Sequence, residues 1–266
     1  MISQGQRPQF SNPPVAEVVY GIQFQALEGW LTTNFGLYWN EIRNDFPRVE
    51  DHPPLGKVLA EISPPQDSIP MFSLLPPMRR VLFLNDPGNF LIQLQSDRFH
   101  FNWRKANEGE VYPKFEVPFN RFCKEWDRFQ LFAKSCSLPP AKPNVFELTY
   151  VNHLGIDGNV FPRDLWNYLS FFSTTPRSTT QLESSSVAMQ IVWPLPNEHG
   201  ILILDVKHGH RSENNKQVLV MELSARGKAS YQSISLNDWF ELAHDSIVTT
   251  FEALTTQTAH EIWGKK

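Results

Sequence analysis

A chain of 266 residues is long enough to bury one large core, or two halves that share one. Its 24 Lys and Arg against 28 Asp and Glu leave a net charge of -4, which excludes any global electrostatic attraction to nucleic acid or to an anionic membrane. Twenty Phe and eight Trp supply ample apolar surface for a core, since each buried ring removes roughly 150–250 Å² from water.

The opening dozen residues are polar and run into Pro13 and Pro14, which reads as an extended arm without the apolar core of a secretion signal. No stretch of the chain approaches the length of a membrane span, so a cytoplasmic protein is expected. "VAEVVYGIQF" (15–24) is rich in β-branched and aromatic residues and predicts a strand. Leu31, Phe35, Tyr38, Ile42 and Phe46 then recur at helical spacing until Pro47 stops them. Residues 47–78 hold "DHPP", "SPPQ" and "LLPP" and predict a long proline-punctuated loop, with one short strand at "KVLAEI". Such a loop is placed to cover a site or a sheet edge.

Three strands follow at 79–86, 89–97 and 98–105, the first two joined by the turn signal "NDPGN". Pro118 suits the first turn of the next helix, whose stripe is Phe119, Phe122, Trp126, Phe129 and Ala133, with Arg121, Lys124, Glu125 and Arg128 outward. Cys123 lies among that stripe and Cys136 lies thirteen residues on; neither has a CxxC partner, and both read as buried structural thiols of a reducing compartment.

After "SCSLPPAKP" the order repeats. A strand at 144–156, a short helix at 161–172, a Ser/Thr loop, three strands within 187–227 and a last helix capped by Ser235 complete the chain. "EVVY" (17–20) and "ELTY" (147–150) open the two halves with one pattern. The sequence therefore predicts an α+β protein: two duplicated strand-helix-three strands-helix halves, 1–143 and 144–266, forming one antiparallel sheet with helices on one face. In element order this resembles the duplicated folds of the TATA-binding protein and the GyrI-like small-molecule binders.

"RFHFNWRK" (98–105) alternates aromatic and polar residues, so a strand sends Phe99, Phe101 and Trp103 to one face. Arg98, His100, Asn102 and Arg104 go to the other. Stacking rings and phosphate-pairing arginines on opposite faces cannot meet the same nucleic-acid strand. The rings are expected in the core, and the polar face is the one left to line a groove. Glu17 and Glu147, next to Tyr20 and Tyr150, are candidates for the same groove, since the likeness to GyrI-like binders implies charge pairing and cation–π contact with a cationic or planar ligand. His208 and His210 point the same way from a strand and, with a third ligand such as Glu222 on the next, form the best metal-like arrangement. "ESSS" (183–186) lacks a nucleophile elbow, and the chain has no phosphate-cradling glycine motif.

"NPPVAEVVYGIQF" (12–24), "FHFNWRK" (99–105) with "YPKFEVPFNRF" (112–122), and "AHDSIVTTFEALTTQTAHEIWGK" (243–265) resemble a sporadically distributed bacterial family of uncharacterised proteins. The resemblance implies no catalytic residue and no cofactor. Patchy occurrence is typical of mobile accessory genes, antiphage defence and toxin–antitoxin loci among them, so it implies a neighbourhood rather than a mechanism. The resulting expectation is a non-enzymatic module binding a small ligand or a protein partner. The alternatives are a nucleic-acid binder using Arg98 and Arg104, and a metal-dependent hydrolase using His208 and His210.

Overall fold

The computed structural model describes residues 7–56, 60–61, 78–107, 109–155, 164–171, 186–210, 216–229 and 234–266. Among them lie nine strands in one antiparallel sheet and five α-helices. The strands are β1 (Val15–Phe24), β2 (Arg48–His52), β3 (Arg80–Leu84), β4 (Phe90–Gln95), β5 (Arg98–Arg104), β6 (Pro143–Leu154), β7 (Ala188–Pro194), β8 (Ile201–His210) and β9 (Gln217–Lys228). Across the sheet they run β2-β3-β4-β5-β1-β6-β9-β8-β7. The helices are α1 (Thr32–Ile42), α2 (Glu116–Ser135), α3 (Leu165–Tyr168), α4 (Leu236–Leu254) and α5 (Gln257–Ile262). The expected α+β class and antiparallel sheet are both present.

β1 and β6 are neighbours at the centre, with Val18 opposite Tyr150 and Gly21 opposite Glu147. Residues directly opposite share a face, so the register sorts the side chains. One face carries Val18, Tyr20, Ile22, Phe99, Phe101, Trp103, Phe146, Leu148 and Tyr150, all buried. The helices cover this face because their apolar stripes need it. Phe122, Trp126 and Phe129 of α2 meet Phe99, and Phe240 of α4 meets Tyr20, Phe122 and Phe146. Phe240 thus joins residues from both halves of the chain in one continuous core. The prediction that the rings of 98–105 are core holds.

Local chemistry explains the helix ends. The Ser235 hydroxyl accepts from the Asp238 N–H and starts α4, as its sequence predicts. α1 starts differently: Asn34 Oδ1 accepts the Leu31 N–H at 2.7 Å, and Leu31 itself stands exposed outside the helix. Glu125, expected outward, is instead buried near Arg128 at 3.7 Å, and burial raises its pKa.

Other elements depart from the pattern. α3 ends at Leu169, which bridges to Thr255, so a tertiary contact stops the helix expected over 161–172 before its predicted end; residues 161–163 and 172 lie outside the described residues. α5 was not anticipated; Thr256 caps it by accepting from the Ala259 N–H. β2 was missed because "RVEDH" has one apolar residue and is a largely exposed edge strand. The strand expected at 57–62 lies mostly outside the described residues. Cys123 and Cys136 are free and only half-buried, not fully enclosed as expected. No helix among the described residues is long and apolar enough to cross a membrane.

The N-terminal arm is fixed by the other end of the chain. Ser11 and Asn12 donate to the Gly264 and Trp263 carbonyls, and the Phe10 ring meets Phe251 edge-on and tilts against His260. The Arg7 guanidinium pairs with Glu241 and Asp245 on α4.

Candidate functional site

The sheet face away from the helices gathers the polar residues singled out in the sequence. Arg98, His100, Asn102 and Arg104 of β5 share it with Glu17 and Glu147. They are held mainly by one another. Arg80 donates to Gln93 at 2.7 Å, Gln93 to Asn102 at 3.0 Å, and Asn102 to Glu17 at 2.6 Å, a chain of hydrogen bonds across four strands. Glu147 accepts from Arg226 at 2.9 Å and lies 3.6 Å from His100 Nε2. Gly21 separates those two side chains because nothing larger fits. A Cβ there would come within 2.9 Å of His100 Cδ2 and 3.2 Å of Glu147 Cβ.

Three of the β5 residues on this face are closed off from solvent. Arg98, His100 and Asn102 are only 3%, 6% and 1% exposed. The proline-punctuated segment lies over part of it: Leu55 exchanges hydrogen bonds with Gln95, the Gly56 carbonyl accepts from Arg98 at 2.7 Å, and Glu61 pairs with Lys228. Arg104 donates to the Gly88 carbonyl. Burial shapes the charges: it drives the His100 pKa down to about 4 despite Glu147, and raises that of Glu17 against the opposing hydrogen bond from Asn102.

Two sequence expectations fail on parity. Glu17 and Glu147 lie on the polar face, whereas Tyr20 and Tyr150 point to the helices, so acid and ring cannot share a cleft. His208 shares a face with Leu204 and Val206, while Glu222 sits opposite Asp205 on the other face and cannot complete its coordination. The His210 side chain lies outside the described residues. Among the described residues no three His, Cys, Asp or Glu side chains are grouped to hold a metal.

The helix side holds a site that sequence reasoning did not assemble. A cavity of about 330 Å³ lies between the N-terminal arm, the lead into α2, β6 and α4. Lys114, in a left-handed conformation at φ 67°, bends the chain between Tyr112 and α2. Phe115 then lies flat on the His244 imidazole, centroids 4.1 Å apart and planes within 5°. His244 Nδ1 meets the Tyr150 hydroxyl at 3.0 Å, and that hydroxyl meets Tyr112 Oη at 2.9 Å.

Nδ1 is taken by Tyr150, among the described residues no hydrogen bond reaches His244 Nε2, and His244 lines the cavity. Burial, with a contribution from Arg7, pushes the His244 pKa down to about 3. The arrangement presents a neutral imidazole, oriented by a phenol chain and a stacked ring, to an apolar space. Sequence signals existed for it: Tyr150 closes "ELTY", Tyr112 opens "YPKFEV", and His244 lies inside the buried stripe of α4. No family model matches the chain, and no curated protein matches it.

Proposed function

We propose that the protein is a non-enzymatic binding module, a regulator or sensor that takes a small ligand into the cavity beside His244. The observation that carries this reading is the Tyr112–Tyr150–His244 chain, which lines a space also walled by Phe10, Ile247 and Phe251. A largely apolar pocket with few convergent polar groups is the ordinary form of a ligand site. Binding is favoured over turnover because a histidine that gains its proton only near pH 3 is a weak general base at neutral pH.

The cavity draws its walls from both halves and from the N-terminal arm, so an occupant can bias how the arm docks. We read the halves as an internal duplication. In support, β5, β4 and β3 follow β1 outward as β9, β8 and β7 follow β6, and a long helix succeeds β5 and β9 alike. The resemblance to a sporadically distributed bacterial family supports placing the module in an accessory locus, with antiphage defence as one such setting.

Saturation-transfer NMR with phenol, benzamide, benzoate and benzamidine tests the reading, using Val248→Trp to fill the cavity. At least one probe should give a signal that the filled variant loses. Signals absent for all four, or unchanged in the filled variant, would reject a ligand site here.

A further inference from the structure

We infer that this cavity selects an uncharged amphipathic molecule, an apolar ring or branched chain bearing one hydroxyl or carbonyl group that hydrogen-bonds His244 Nε2. This inference rests on the proposal that the cavity is a ligand site and specifies what it takes.

The distribution of charge around the cavity is the first argument. Its buried polar residues, Tyr150, Asn152 and His244, are all neutral. The charged residues that line it stand at the mouth: Lys114, Glu116 and Lys266 are exposed, and Arg7 is half-buried and already paired with Glu241 and Asp245. A charged head group drawn down to His244 would lose its hydration and find only Arg7 within electrostatic reach, whose charge Glu241 and Asp245 already balance. That cost is heavy for an ion and small for a hydroxyl or carbonyl that gains one good hydrogen bond.

The second argument is the adaptability of the chain of hydroxyls. If Tyr112 donates to Tyr150 and Tyr150 to Nδ1, His244 carries its proton on Nε2 and offers a donor to a carbonyl. If the protons point the other way, Nε2 becomes an acceptor for a hydroxyl. Either neutral head group is met by a shift of protons along fixed heavy atoms. The Phe115 stack holds the imidazole plane before the ligand arrives, which lowers the ordering cost of binding. A volume of about 330 Å³ sits at the small end of ligand pockets, which commonly span roughly 300–1,000 Å³.

Isothermal titration of the full chain with four probes of one ring size separates the classes. Phenol and benzamide should bind, with benzoate and benzamidine weaker by roughly tenfold or more. His244→Phe keeps the stack and removes Nε2, and should weaken phenol by about tenfold. Where that variant fails to fold, Tyr150→Phe unfixes Nδ1 and should weaken phenol by a smaller factor. Benzoate or benzamidine binding as tightly as phenol, or phenol unaffected in the variants, would overturn the neutral class while leaving the ligand site standing. Failure of all four probes would overturn both.

Discussion

Tyr150 and His244, one on β6 and the other on α4, meet at 3.0 Å between the phenol oxygen and Nδ1. The contact spans 94 positions of sequence and ties the central sheet to the last long helix. Both partners are buried, so the bond has structural weight as well as an orienting role.

Tyr150→Phe removes the oxygen that touches both Tyr112 and His244. A buried ring nitrogen is left without its partner, which costs about 1–3 kcal/mol. Urea denaturation should show that loss with an unchanged m-value. Tyr112→Phe removes only the outer link and should cost less. Equal stability of wild type and Tyr150→Phe would mean that the chain carries no energy.

Acid sensitivity follows from the two buried histidines. Folded His100 and His244 titrate at about 4 and about 3, against roughly 6.5 in the unfolded chain. The unfolded state therefore binds more protons over that window, and stability is full above pH 6.5 and falls as the pH drops toward the folded values. Each group adds a slope of up to about 1.4 kcal/mol per pH unit. His244→Phe should flatten the stability profile between pH 6 and 4 relative to wild type. Parallel profiles would show that His244 is not held neutral.

Gly21 is the point of closest packing on the polar face. Gly21→Ala places a methyl against His100 and Glu147, and overpacking of this kind costs about 1–3 kcal/mol. Adding His100→Ala should recover part of the loss, so the double-mutant cycle shows positive coupling. Strict additivity would contradict the contact.

Arg98 holds the covering segment through the Gly56 carbonyl. Arg98→Ala should speed proteolytic cleavage near Leu55 and Gly56 severalfold, since loop cleavage tracks local opening. An unchanged digestion pattern would show that Gln95 and the Glu61–Lys228 pair suffice to hold the segment.

Much of this fold was legible because strand parity is strict. The alternation at Phe99, Phe101 and Trp103 sorted two faces correctly, and the stripe from Phe119 to Ala133 located α2. Parity also decided what failed, since Glu17 and Tyr20 lie three residues apart and so on opposite faces. That the proline-punctuated loop covers a site or an edge was legible, but not that it lies over Arg98, because it carries no periodicity to say where it lies. Nor was the cavity, whose residues come from five distant segments. His244 sits in a helix stripe where Ala243 and Ile247 already accounted for the packing. Only the fold brings Tyr112 and Tyr150 to it.

The most direct measurement of the central claim is a crystal structure of the protein soaked in phenol. Density for the ring among Phe10, Ile247 and Phe251, with its hydroxyl in hydrogen-bond reach of His244 Nε2, is the predicted result. An empty cavity at a phenol concentration that saturates the protein in solution would contradict it.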